Sequence, residues 1–493
     1  IMALIPLKIP AGFYRNGTDY EASGRWRDGN LVRWLGTSLR PIGGWRVRTA
    51  NAIAEPARGM HSWEENDGSR WAAMGAYNKL YVANAAGTVY DITPAGFTTG
   101  YENAAVNTGY GYNFYGTSFY GEERPDTGNY EEATTFSLDN YGSYLVACSV
   151  HDGKAYQWDG NTASAATVIT NAPINNLGLI VSEERFLFCL GAGGDPRLVQ
   201  WSDQEDITTW TPASTNQAGA QILQTSGQIM AAQRGRAQTL IFTDLDMHRM
   251  TYVGAPFIYS TERVATACGL ASRKAVTTTD AGTFWMGQSS FFVYNGSNVQ
   301  ELPCEVEDYV FGDINRSQIS KCWSISIGTH GEVWWFYCSG QSTEIDRYVS
   351  YDYKQGFWMT GEISRTTGVD RSVFRYPLMM SDTGTMYEHE VGLNYDGADV
   401  FAESGPFSIG AGDNIVKVTK LIPDELTQGD VTATFKTRLY PNAAETSHGP
   451  YNMANPTSVR FSGRQARMRV DGAKLANWRV GVMRVDAIPG GRR

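Results

Sequence analysis

The sequence predicts an all-β fold, and its composition and its patterning both support that prediction. Of the 493 residues, 53 are glycine, 27 are tyrosine and 14 are tryptophan, whereas charged residues make up only 19%. Glycine and aromatic residues are weak helix formers, and aromatic and β-branched side chains are enriched in strands. Short alternating runs of such side chains, bounded by Gly, Asn and Asp, recur along the chain, and the best helical candidate is a short one at residues 306–314.

The predicted strands follow a loose repeat. Aromatic side chains followed by an Asp or Asn turn recur about every 40–50 residues; Trp158 and Trp201, for example, are 43 residues apart. This period is typical of four-stranded propeller blades, because one small twisted sheet cannot bury both of its faces alone. We therefore predict a β-propeller of about six blades with degenerate repeats. The alternative is a pair of β-sandwiches whose hairpins imitate a repeat.

The extent of the repeat predicts three regions. These are a basic N-terminal segment at 1–58, a propeller body at 59–400 and a C-terminal β domain with a basic end at 401–493, and we expect the terminal segments to form an additional β-element. Residues 100–132 are rich in Tyr and Gly and lack core-facing alternation, which predicts an aromatic insertion. It is either a plain surface insertion or a loop that contacts another subunit. The candidate contact residues are Tyr110, Tyr112, Tyr115 and Tyr120.

Charge is distributed unevenly along the chain. The formal net charge is −10, yet residues 1–60 carry nine basic and four acidic side chains, and residues 458–493 carry nine basic and two acidic ones. The two ends are therefore +5 and +7, and the middle is −22. We expect the basic ends to contact acidic surfaces of neighbouring proteins, although ordinary ion pairs on solvated strand faces are an equal alternative. The candidate contacts are Arg25, Arg27, Arg33, Arg40, Arg46, Arg464, Arg467, Arg469 and Arg479.

Motifs for catalysis, cofactors or metals are missing from the sequence. It contains no nucleophile elbow, zinc-protease motif, phosphate-binding loop or EF-hand loop. His389 lies between Glu388 and Glu390, but strand alternation puts it on the opposite face from both, so we expect a solvated strand edge there. The six cysteines show no C-x-x-C spacing, which predicts free buried thiols and a reducing compartment. We therefore predict no enzyme activity, no cofactor and no metal.

A series of motifs in chain order resembles one family. It extends over nearly the whole chain, and the order and spacing of the motifs carry the likeness. The motifs include WRDGNLVR at 26–33, RPIGGW at 40–45, FSLDNYG at 136–142, CGL at 268–270, VEDYVF at 306–311, WWFY at 334–337 and WRVG at 478–481. Together they resemble the tail hub or nozzle proteins of short-tailed bacteriophages, also called packaged-DNA stabilisation proteins. Residues 463–467 depart from the family pattern, because a tighter Arg-Gly-Arg cluster is expected at this place.

The resemblance implies a propeller-based structural protein without catalytic activity. Such proteins form six-fold rings below the portal and adaptor, extend the tail channel, retain packaged DNA and release it during infection. The implied partners are further copies in a homohexameric ring, the tail adaptor protein, a tail fibre or spike and the host surface. DNA would pass through the channel without sequence-specific binding. The implied location is the virion tail, after synthesis and assembly in the host cytoplasm.

Two features of the composition agree with a tail channel. An acidic wall would let duplex DNA slide, whereas a wall that bound phosphates would retard ejection. Exposed Tyr, Trp and Arg would suit a protein interface. One alternative is a carbohydrate-binding or carbohydrate-cleaving propeller for host-surface recognition, with aromatic stacking on sugars and paired carboxylates as acid and base. A nucleic-acid-binding scaffold is a weaker alternative, because the middle of the chain is strongly acidic.

Overall fold

The structure is a computed structural model that describes residues 3–106, 130–409, 414–472 and 475–491. Strands dominate these ranges, which confirms the predicted all-β class. No helix among these residues is long and apolar enough to cross a membrane.

The predicted helix is confirmed. It spans Glu307–Asp313, carries two acidic residues in its first turn and is followed by a 3₁₀ segment at Arg316–Lys321. A second 3₁₀ turn lies at Ala192–Gly194.

Five short strands lie in the N-terminal segment. Two of them form a hairpin with each other, and the other three pair with strands that come from much later in the chain. The five are β1 (Ala3–Pro6), β2 (Trp26–Asn30), β3 (Val32–Leu35), β4 (Ser38–Pro41) and β5 (Trp45–Val47).

Six four-stranded sheets follow, each an antiparallel meander in which every strand pairs with the next. A two-stranded ribbon, β10 and β11, lies between the first two sheets. The first three sheets and the ribbon consist of β6 (Ala57–Glu64), β7 (Arg70–Ala76), β8 (Leu80–Asn84), β9 (Val89–Asp91), β10 (Ala105–Val106), β11 (Tyr130–Glu131), β12 (Phe136–Tyr141), β13 (Tyr144–Ser149), β14 (Ala155–Trp158), β15 (Thr167–Val168), β16 (Gly178–Val181), β17 (Leu187–Leu190), β18 (Leu198–Trp201) and β19 (Gly219–Ile222). The next three consist of β20 (Ile229–Gly235), β21 (Gln238–Thr243), β22 (Asp246–Gly254), β23 (Ile258–Thr266), β24 (Val276–Thr278), β25 (Thr283–Met286), β26 (Phe291–Tyr294), β27 (Val299–Leu302), β28 (Trp323–Ile327), β29 (Glu332–Tyr337), β30 (Arg347–Asp352) and β31 (Phe357–Glu362).

A seventh sheet joins the two ends of the propeller. Its outermost strand is β5, which pairs with the last strand of a three-stranded meander so that Trp45 lies opposite His389. Because β5 precedes the first blade in sequence, backbone hydrogen bonds between distant segments close the ring. The three strands of the meander are β32 (Thr367–Val369), β33 (Leu378–Met380) and β34 (Met386–His389).

The first strands of the seven sheets surround a common axis. Contacts run from β6 through β12, β16, β20, β24, β28 and β32 and return to β6, which confirms the predicted β-propeller. The spacing predicted about six blades, whereas the structure has seven. The repeat does not mark every blade, because the aromatic residue with its Asp or Asn turn lies on the third strand in only four blades, at Trp158, Trp201, Tyr294 and Tyr351.

Apolar clusters between neighbouring blades form the propeller core. Trp63 and Trp71 of the first blade pack edge-on against Trp158 of the second. Each sheet thereby buries both of its faces, which explains the radial arrangement. All 14 tryptophans are buried. This corrects the expectation that tryptophans are exposed for protein contacts, because they fill the core instead.

The last eight strands complete a second unit with the N-terminal strands β1 and β2. We call this unit the terminal module, and it is the additional β-element that the sequence predicted. Its C-terminal strands are β35 (Phe401–Ser404), β36 (Phe407–Ser408), β37 (Val416–Ile422), β38 (Val431–Arg438), β39 (Thr446–Asn452), β40 (Thr457–Gly463), β41 (Gln465–Gly472) and β42 (Arg484–Pro489).

The terminal module consists of two sheets. One has the strand order β1-β42-β37-β40, and the other has the order β2-β35-β41-β38-β39, with β36 beside β41. The sheets pack on each other through Phe435 and Phe461, whose ring centroids are 4.9 Å apart. The two ends of the chain thus meet in one unit, although Arg33, Arg40 and Arg46 of the basic N-terminal segment lie outside it.

Candidate functional site

Most of the arginines predicted to contact other proteins pair with carboxylates of their own chain. Arg46, for example, has a side chain that is 60% exposed, and its Nε lies 2.7 Å from Glu388 Oε2. Exposed pairs of this kind stabilise a protein by about 1 kcal/mol or less. At least six of the nine arginines are paired: Arg25 with Glu305, Arg27 with Asp19, Arg33 with Glu332 and Glu390, Arg46 with Glu388, Arg467 with Glu445 and Arg469 with Asp471.

Arg33 is buried within an ion-pair network. Its side chain is 2% exposed, with Nε 2.9 Å from Glu332 Oε1 and Nη2 2.7 Å from Glu390 Oε1. Burial alone would raise the pKa of Glu390, but Arg33 and the neighbouring His330 hold that pKa below its ordinary range. This corrects the expectation that Arg33 contacts a partner, because its guanidinium is enclosed by carboxylates of its own chain.

Arg33, Arg40 and Arg479 form a row across three neighbouring strands. The pairing of β3 with β4 places Arg33 opposite Arg40. On the other side of β4, two backbone hydrogen bonds of 3.0 and 2.9 Å join Leu39 and Val480 in an antiparallel bridge. Such a bridge places Arg479 opposite Arg40. Like charges directly opposite each other destabilise a sheet, so this row needs compensating anions.

Arg40 and Arg479 make no direct ion pair with a residue that the structure describes, although the charges of Glu332 and Glu390 act on Arg40 from a longer distance. Both side chains are partly buried, and neither makes an ion pair or side-chain hydrogen bond within those ranges. Burial, together with the charges of Arg33 and Arg479, lowers the pKa of Arg40. We call these two residues the Arg40–Arg479 pair. Of the nine predicted contact arginines, these two make no ion pair within the described ranges, so they are the candidates for an ion pair with a partner protein.

Exposed apolar side chains lie close to the Arg40–Arg479 pair. The backbone N–H of Leu426 donates to the carbonyl of Arg479 at 3.0 Å, and the Leu426 side chain is 66% exposed. Leu35 and Val482, near the pair in sequence, are also exposed. Arginine combined with apolar side chains is typical of the core of a protein interface.

The remaining predicted contact residues are Arg464 and four tyrosines, and the structure gives little information about their role as contacts. Arg464 is partly buried in the turn between β40 and β41. Tyr110, Tyr112, Tyr115 and Tyr120 lie outside the described residues.

The two ends of the Tyr/Gly-rich insertion are anchored next to the sixth blade. The N–H of Ala104 donates to Gln318 Oε1 at 3.0 Å, and the N–H of Ala133 donates to Ser320 Oγ at 3.1 Å. The connection between the first two blades therefore reaches the segment that precedes β28. It lies at the end of the ring where the inner strands begin.

A cavity of about 490 Å³ lies on the propeller axis and is lined by the inner strands of all seven blades. Asp139 and Arg234 form an ion pair in its wall, with Oδ1 and Nη2 2.7 Å apart. His61 Nε2 lies 3.8 Å from the same carboxylate oxygen, and burial lowers the pKa of His61. Lys274 also lines the cavity. Sequence analysis missed this group, because its members come from different blades and no local motif connects them.

His389 is buried, which corrects the expectation of a solvated strand edge. Its Nε2 lies 2.8 Å from Arg365 Nε, and burial followed by the charge of Arg365 lowers the pKa of His389 well below its ordinary value. Glu388 pairs with Arg46 and Glu390 with Arg33, so neither carboxylate shares a site with the imidazole. Strand alternation correctly predicted that His389 shares no site with Glu388 or Glu390. It could not show that β5 pairs with this strand and covers it.

The described residues contain no cluster of three or more His, Cys, Asp or Glu side chains that could hold a metal ion. All six cysteines are free, as predicted, and five of them are buried. Burial raises the pKa of Cys148 to about 12, so this thiol stays protonated and is a poor nucleophile.

Solved structures with a similar fold are β-propeller proteins. No protein-family model and no curated sequence matches the chain. Virginiamycin B lyase from Staphylococcus aureus is 8% identical over 70% of this chain and 98% of its own, with a TM-score of 0.44. YCF48 bound to D1 peptide is 10% identical over 71% and 97%, with a TM-score of 0.39. BamB from Moraxella catarrhalis is 10% identical over 79% and 100%, with a TM-score of 0.37. At these identities and scores, the likeness carries no argument about activity.

Proposed function

We propose that this protein is a non-enzymatic nozzle or hub subunit in the tail of a short-tailed bacteriophage. In this role it forms a ring that extends the tail channel, retains packaged DNA and lets the DNA pass on ejection. The ordered series of motifs along nearly the whole chain supports the assignment to this class of protein.

The Arg40–Arg479 pair is the structural observation that carries the proposal. Two opposed cations without a direct ion pair in the described part of the chain favour association with an acidic surface. The middle of this same chain carries a net charge of −22, so a second copy offers such a surface. The surface around the pair, where β4 meets the segment that contains Val480, would contact the acidic propeller of the next copy.

A contact between two different surfaces is directional. Repeating it around an axis generates a closed ring when the rotation closes, and a hexameric ring is the expected form. The remaining acidic surface would face the passing DNA, which it would repel rather than bind. The tail adaptor is the proposed partner at one end of the ring, and a fibre, a spike or the host surface at the other.

Charge reversal at the pair tests the proposal. We expect Arg40→Glu combined with Arg479→Glu to abolish ring assembly, measured as native mass by light scattering and as ring images by electron microscopy. Arg197→Glu is the matched control. Arg197 is exposed on the third blade, 3.8 Å from Asp195, and lies outside the terminal module. Its reversal is expected to leave the ring unchanged.

Three results would contradict the proposal. The first is a double variant that assembles like the wild type. The second is an Arg197→Glu variant that loses assembly equally, which would mean that general surface charge matters rather than the pair. The third is a wild-type chain that stays a 54.3 kDa monomer and binds glycans, which would favour the carbohydrate alternative.

A further inference from the structure

The axial cavity has the size of a ligand site. Arg234, Arg371 and Ser372 line it and are exposed, so solvent reaches it from this side. Its volume of about 490 Å³ lies within the range typical of small-molecule sites.

The carboxylate of Asp139 has its hydrogen-bonding capacity taken up. Oδ1 accepts from Arg234 Nη2 at 2.7 Å and from the N–H of Asn140 at 2.9 Å, and Oδ2 accepts from the N–H of Val181 at 2.9 Å. Asp370, which also lines the cavity, accepts from two backbone N–H groups. These contacts leave neither carboxylate paired with a lysine.

Lys274 is the cavity-lining ammonium group without a partner. Its amine makes no ion pair or hydrogen bond with a described residue, whereas Arg273 beside it is held by Glu132 at 3.0 Å. Burial lowers the pKa of Lys274 to about 8, and Asp139 offsets that effect only in part. Lys274 is only partly exposed, so its unpaired charge is less well hydrated than at the surface, and a bound anion would stabilise it.

Two hydroxyl side chains share the cavity with this lysine. Ser137 and Thr277 line the same cavity, and their side chains make no hydrogen bond within the described ranges. They offer donors and acceptors to the polar body of a ligand. A single phosphate or carboxylate group is far smaller than the cavity, so the remaining space suits a polyhydroxylated body.

We propose that the axial cavity binds a small polyhydroxylated anion, a sugar phosphate or a sugar acid, whose anionic group pairs with Lys274. The hydroxyl groups of Ser137 and Thr277 hydrogen-bond to its polar body. This inference is independent of the proposed tail function.

Calorimetric titration of the full chain tests the site with four probes: glucose 6-phosphate, gluconate, inorganic phosphate and glucose. We expect saturable binding of glucose 6-phosphate or gluconate, weaker binding of inorganic phosphate and none of glucose. Phosphate binding as tightly as glucose 6-phosphate would show a plain anion site and overturn the polyol part. No binding of any anionic probe at millimolar concentrations would overturn the whole proposal.

Matched lysine variants identify the binding group. Lys274→Met is expected to weaken binding by roughly tenfold or more, whereas Lys354→Met, at an exposed lysine of the sixth blade, is expected to leave it unchanged. Circular dichroism of both variants establishes that they fold. Equal affinity in Lys274→Met and the wild type would contradict the assignment.

The wild-type pH profile gives a second measurement that needs no variant. Only the protonated amine attracts an anion, so the affinity for gluconate, whose charge is constant between pH 7 and 9, should fall as pH rises through about 8. The charged or titratable groups near Lys274 are Asp139, His61 and Cys148, and Arg234, Arg273, Asp370 and Arg371 also line the cavity. Burial holds His61 and Cys148 neutral in this pH range. A flat profile between pH 7 and 9 would contradict the role of Lys274.

Discussion

Arg33 and Arg40 lie opposite each other on one hairpin and differ completely in their surroundings. Arg33 is enclosed by Glu332 and Glu390, whereas Arg40 faces Arg479 and makes no direct ion pair with a described residue. The sequence predicted all three arginines as contacts, because their charge is visible in it. The burial of Arg33 was not predictable, because Glu332 lies 299 residues after it and only the closed ring brings these two residues together.

A substitution at Arg33 tests the buried network at the residue scale. Removing one partner of a buried ion pair leaves uncompensated charge, so Arg33→Met is expected to lower the free energy of unfolding by about 3–5 kcal/mol. Arg46→Met is the control, and its expected cost is about 1 kcal/mol or less, because Arg46 is largely exposed. Urea denaturation followed by circular dichroism measures both. Equal, small effects would contradict a structural role for Arg33.

At the element scale, β5 determines the blade count. Aromatic markers on the third strands made the propeller predictable, because alternation and turn residues are local signals. The closing strand has only three residues and lies before the first blade, so no period could place it. The helix at 306–314, in contrast, was predictable from the sequence, because its whole pattern lies within one short segment.

Trp45 anchors the closing strand, and its loss should open the ring. The indole is buried, packs against His389 and Tyr395, and donates to Asp396 Oδ2 at 2.6 Å. We expect Trp45→Ala to cost about 3–5 kcal/mol of unfolding free energy, as large-to-small core substitutions do. Val47→Ala, at an exposed position of the same strand, should cost less than about 0.5 kcal/mol. Similar values for both variants would mean that β5 does not hold the ring closed.

At the scale of the whole molecule, charge and topology agree. The basic ends were visible in the sequence, and strand pairing brings the first and last strands together, with β1 beside β42. The axial cavity with Lys274 was not predictable, because seven separate strands contribute to it. The proposed ring uses the surface around Arg40 and Arg479 of one copy against the acidic propeller of the next.

Single-particle electron microscopy of the purified chain tests the ring most directly. The account predicts closed rings with an open axial channel, whose native mass is a whole-number multiple of 54.3 kDa, with six copies expected. Images should place the surface around Arg40 and Arg479 of each copy against the propeller of its neighbour. Monomers of 54.3 kDa at every protein concentration tested, or rings whose contacts leave Arg40 and Arg479 exposed to solvent, would contradict it.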